Sequence, residues 1–174
     1  MITVPQRRYS AAYTIATCLI CGPVLAQSAM EHHVWQDKRK FEPYSRTAEA
    51  ITGPIRLSGN PDFATPGSKM AITFGNGKKV SLTSVGAFWR QGDETSDSKA
   101  TAEIFKFSSD PGALRNGNTL CGDPKSDPAR YVVFLEKSSY GASPLLGMAV
   151  FGSKEAPRDI NSPSLCGTFN YGTN

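Results

Sequence analysis

Apolar side chains recur at every second position along much of this chain. Met70, Ile72 and Phe74 alternate with Ala71 and Thr73, and after a short break Val80 and Leu82 alternate again. A period of two gathers one set of side chains on one face of a strand. The break is Gly75-Asn76-Gly77-Lys78. Asn-Gly between alternating runs predicts a β-hairpin, because both central residues tolerate positive φ. The apolar parity then slips by one residue, from Val80 and Leu82 to Val85, Ala87 and Trp89, which predicts a β-bulge.

The pattern extends in both directions. Ile51, Ile55 and Leu57 alternate with Thr52, Pro54 and Arg56, and Pro54, which has no N–H for a ladder, points to an edge strand. Residues 102–107 (AEIFKF) predict a further strand. Residues 131–135 (YVVFL) and 145–151 (LLGMAVF) are apolar at nearly every position, as expected of strands buried on both faces. Residues 165–171 (LCGTFNY) supply the last. Polar, Gly/Pro-containing stretches separate these runs, and no amphipathic helix of 12 residues or more stands out. The expected fold is all-β: one antiparallel sandwich or small barrel of about seven to eight strands with one disulfide.

The N-terminal region follows different rules. Arg7 and Arg8 precede an uncharged stretch from Ala11 to Leu25, and small residues suit cleavage after Ala26 or Ser28. These are the parts of a secretory signal peptide, expected at 1–26. Cys21 could serve as the acylated residue of a lipoprotein, but Ile20 occupies the place where a lipobox has a small residue. Removing 26 of the 174 residues leaves 148, enough for one domain with a real core. The net charge of +4 includes Arg7 and Arg8, so the mature chain carries +2 and gives no reason to expect a nucleic acid partner. Residues 27–48, with the cluster Asp37-Lys38-Arg39-Lys40 between Trp35 and Phe41, lack either periodicity and are expected as an N-terminal arm, poorly ordered or, as the alternative, laid along the domain, ahead of a β-domain at 49–174.

Export leaves Cys121 and Cys166 as the mature cysteines, each inside a Leu-Cys-Gly tripeptide. In an oxidising compartment they are expected to form one disulfide, closing a loop of about 45 residues and stabilising the fold by roughly 4 kcal/mol in the chain-entropy model. Their separation is unlike the Cys-x-x-Cys of redox proteins. A glycine beside each half-cystine permits close backbone approach or positive φ.

Chemistry is sparse. His32 and His33 are the only histidines, adjacent and outside the strand pattern, which suits neither a triad nor a metal site. No catalytic residue, metal or cofactor is therefore expected. Glu103 and Glu136, on expected strands, are the carboxylates available to a glycan hydrolase. The aromatic residues are expected as core, or as the lining of an apolar pocket if a barrel stays hollow.

The run GNTLCGDPKSDPARYVVF, with GMAVF and the terminal LCGTFNY, resembles short secreted proteins of Gram-negative bacteria without an assigned activity, over residues 100–171. The resemblance implies an exported chain and carries no active site. In size, export signal and single disulfide the chain is also similar to periplasmic inhibitors of proteases and lysozymes, whose motifs it lacks. The expected function is an exported, periplasmic or secreted, non-catalytic binding or inhibitor-type domain acting on a protein or cell-envelope component, with no transmembrane helix. Recognition is expected in loops held on a rigid sheet, at residues 90–99 and 137–143, with Arg90, Asp93, Glu94, Asp97, Lys137 and Tyr140 as contact residues. The alternatives are a carboxylate-dependent hydrolase of envelope glycan and a carrier of a small apolar ligand.

Overall fold

A computed structural model describes residues 32–90, 100–139 and 142–172; at 88–90, 100–101, 138–139 and 142–143 the description covers the backbone only. The expected signal peptide lies outside the described residues. Eight strands follow one another in an antiparallel meander: β1 (Lys40–Pro43), β2 (Ile55–Gly59), β3 (Lys69–Thr73), β4 (Lys79–Arg90), β5 (Ala100–Phe107), β6 (Tyr131–Ser139), β7 (Ala142–Phe151) and β8 (Leu165–Gly172). Each pairs with its neighbour in sequence, and β1 pairs with β8, so the sheet closes into a barrel without a free edge. Helical structure among the described residues is limited to turns at Val34–Gln36, Ala48–Thr52 and Arg115–Gly117.

The expected β3–β4 hairpin forms, with Thr73 opposite Lys79. Its turn differs in detail: the Gly77 N–H donates to the Phe74 carbonyl at 2.8 Å, and only Gly77 takes positive φ (86°). The Asn-Gly pair with both residues at positive φ is the other one, Asn116 and Gly117, where the Asn118 N–H closes a tight turn onto the Arg115 carbonyl. The bulge falls where the parity slipped: Ser84 faces Phe105 and Gly86 faces Ile104, leaving Val85 unpaired. Pro54 lies just ahead of β2, which is paired on both sides and is not an edge.

One face of every strand turns inward. Phe41, Ile72, Leu82, Phe105, Phe134, Phe169 and Tyr171 are fully buried and belong to a single cluster. Eight strands enclose a space that side chains of this size fill. On the opposite face of β5–β7, Ile104, Val133, Leu135 and Phe151 form a second buried cluster, the two-sided burial that the apolar runs predicted.

Both ends of the barrel are stoppered. At the end reached by Gly59, Lys69, Arg90 and Ser139, the Val34–Gln36 turn inserts Trp35, which has no exposed surface. At the opposite end the Ala48–Thr52 turn seats the Thr52 hydroxyl against the Tyr171 hydroxyl at 2.7 Å. The β5–β6 connection folds over the same end, where the Lys78 ammonium donates to the carbonyls of Pro111 and Ala113, and Asn116 donates to that of Ala50. The expected arm is thereby corrected across its described part. Residues 32–48 supply a stopper and the closing strand β1 and lead into the second stopper, because Trp35 and Phe41 are large apolar side chains that the short barrel needs as filling.

The disulfide joins Cys121, in the β5–β6 connection, to Cys166, the second residue of β8. Its two glycines have the two anticipated roles, one each. Gly122 takes φ of 87°, and a Cβ on Gly167 would lie 2.4 Å from the Leu120 carbonyl oxygen.

Candidate functional site

The two carboxylates that a hydrolase would use are drawn into the Trp35 stopper. Inward parity on β5 places Glu103 beneath the indole, fully buried. Its Oε2 accepts the Trp35 Nε1–H at 2.8 Å and its Oε1 accepts the Ser84 hydroxyl at 2.7 Å. Burial raises its pKa above the ordinary 4.5, against the lowering pull of Ser84, Trp35, the Ala64 backbone N–H and the nearby His33. Glu136, on the inward face of β6, uses its Oε1 to accept the Val34 N–H at 2.6 Å, and the His33 Nδ1 lies 3.7 Å from the same oxygen. The His33 ring is buried, stacked on Trp35 at 4.5 Å and tilted against Phe63 at 4.2 Å. Side-chain anchors thus hold one turn of chain across the barrel mouth. A general acid must reach the proton it transfers, and Glu103 has no solvent path.

The expected contact residues fall mostly outside the described residues: Asp93, Glu94, Asp97 and Tyr140 do, and Arg90 is described by its backbone alone. Lys137 is half-buried on β6. Register nevertheless places the stems of these loops. The β4–β5 hairpin remains paired up to Arg90 opposite Ala100, and the β6–β7 hairpin up to Ser139 opposite Ala142. β5 and β6 pair with each other only as far as Ala102 opposite Leu135. Beyond that level two neighbouring hairpins continue as separate arms from the same end of the barrel.

A different site lies at the disulfide end, one that the strand pattern gave no means of locating. A cavity of about 640 Å³ opens between the end of the β5–β6 connection, at Asp127 and Arg130, and the β7–β8 loop, at 152–158 and 162–164. A smaller one of about 220 Å³ adjoins it, sharing Arg130 and Lys154. The β7–β8 loop is ordered by its own polar groups: the Ser162 hydroxyl accepts the backbone N–H groups of Arg158 and Asp159, the Ser153 hydroxyl donates to the Glu155 carbonyl, and the Tyr131 hydroxyl donates to the Lys154 carbonyl. Its base is closed by the Gly152 N–H donating to the carbonyl of Ser164, a non-glycine residue at φ of 70°.

No group of three or more His, Cys, Asp or Glu side chains among the described residues could hold a metal ion, and no helix among them is long and apolar enough to cross a membrane. Comparison with known proteins finds no matching family model, curated protein or solved structure.

Proposed function

We propose that this chain is an exported, non-catalytic binding domain that engages a protein or cell-envelope partner through the two hairpin arms beyond the barrel mouth. The observation that carries this reading is the loss of β5–β6 pairing above Ala102 and Leu135 while both hairpins continue. The paired stems of both hairpins, Arg90 opposite Ala100 and Ser139 opposite Ala142, rise from the same end of a rigid barrel, and loops on such a base are where recognition usually sits. The disulfide and the sequence signal both support an oxidising compartment outside the cytoplasm.

The two alternatives receive less support. A glycan hydrolase needs carboxylates facing a cleft, whereas Glu103 is sealed and Glu136 holds a backbone N–H. A carrier needs interior space, whereas this interior is filled by Trp35, Phe41, Phe105, Phe134, Phe169 and Tyr171. Affinity capture from envelope extract tests the proposal, comparing the native chain with one in which residues 91–99 are replaced by a Gly-Asn-Gly link. Loss of a specific partner with an unchanged circular dichroism spectrum is the expected outcome; undiminished capture would discard the arms as the recognition surface.

A further inference from the structure

We infer that the cavity at the disulfide end is a binding site for a small anion bearing phosphate or carboxylate groups, held by Arg130, Lys154 and Arg158. It lies at the opposite end of the barrel from the hairpin arms and does not depend on the function proposed for them.

Three observations converge on it. First, about 640 Å³ is ordinary for a small-molecule site. Second, Arg130, Lys154 and Arg158 line this space, and none of their side chains forms an ion pair or donates a hydrogen bond among the described residues. The cavity's own acids, Asp127 and Glu155, also form no ion pair within 4.0 Å, so they leave those donors unclaimed. Lys78 and Arg115, by contrast, are spent on backbone carbonyls that fasten loops. Third, three of the backbone acceptors in the lining already hold a hydrogen bond. The Lys154 carbonyl is taken by Tyr131, that of Glu155 by Ser153 and that of Ser164 by Gly152.

The chemistry follows from the donor set. Two guanidinium forks and an ammonium lining one space suit the paired acceptor oxygens of a carboxylate or a phosphate. Three cations against two acids leave the lining with a small positive excess, which favours an anion and makes its binding sensitive to ionic strength. Preorganisation reduces the ordering cost on binding. The β7–β8 loop is bonded within itself, and the Cys121–Cys166 bridge fastens β8 at its second residue, just beyond that loop.

Titration calorimetry on the mature chain with pyrophosphate and, separately, citrate tests the assignment and identifies which oxygen chemistry is preferred. Saturable binding of at least one anion is expected, weakening as salt is raised. In R130Q/K154Q/R158Q it should fall by about tenfold or more, while K69Q, an exposed cation at the opposite end, should bind as the native chain does. Backbone amide shifts confined to Gly152, Ser153 and Ser164 would locate the ligand in the folded protein. Failure of both anions to bind, or binding unchanged in the triple variant, would overturn the inference.

Discussion

Single atoms decide the tolerance of this fold at its tightest points. Gly167 has no room for a methyl group against the Leu120 carbonyl, and its neighbour Cys166 is fixed by the bridge, so the strand cannot shift away. Gly167→Ala should therefore destabilise by about 1–3 kcal/mol, the usual range for overpacking. Gly122→Ala, strained only by its positive φ, should cost about 1 kcal/mol. Urea denaturation of the two variants checks the order. Glu103 sets a pH dependence. Its folded pKa lies above the ordinary 4.5 because burial penalises the charge. Between those two values the folded chain holds the proton that the unfolded chain has released. The contribution of Glu103 to stability is thus full below about pH 4.5 and is lost as pH rises through the folded value. Glu103→Gln should remove that step, so its stability relative to the native chain should improve from acid to neutral pH. A parallel pair of stability–pH curves would contradict this.

At the scale of elements, the short segment from His32 to Pro43 has an effect out of proportion to its length. Trp35 is fully buried and hydrogen-bonded, and the strand that follows closes the barrel. Trp35→Ala should cost about 3–5 kcal/mol, as for large buried aromatics. The emission of Trp35, one of two tryptophans, should be shifted to the blue and lost in that variant. The sequence was blind to this segment for a physical reason. Strand periodicity reports burial of alternate residues over several positions, and β1 is only four residues long with Phe41 as its one fully buried side chain. The turn carrying Trp35 has no periodicity, since it caps the barrel rather than lining it. Where elements are longer the reading succeeded: the Val80-to-Trp89 parity slip marked the bulge at Val85, and the unbroken apolar runs of β6 and β7 marked strands with a core on each side. The cavity at the disulfide end was illegible because Arg130 and Lys154 are 24 residues apart and meet only through the β6–β7 pairing.

The described residues form a filled barrel whose C-terminal half is tied by one covalent link. The bridge spans 45 residues and includes all of β6 and β7. Its reduction should lower stability by about 4 kcal/mol in the chain-entropy model, read as a shift of the denaturation midpoint with and without reductant; a shift near zero would mean that β8 is held by its ladder alone. With Glu103 sealed beneath Trp35 and Glu136 holding a backbone N–H, recognition through the hairpin arms is the role proposed for this scaffold. In-cell photo-crosslinking tests that most directly, with the photoreactive residue placed at Glu94 or, as a control on the barrel wall, at exposed Arg56 on β2. The account predicts a discrete adduct from position 94 and none from position 56. The same adducts from both positions, or from neither, would contradict it.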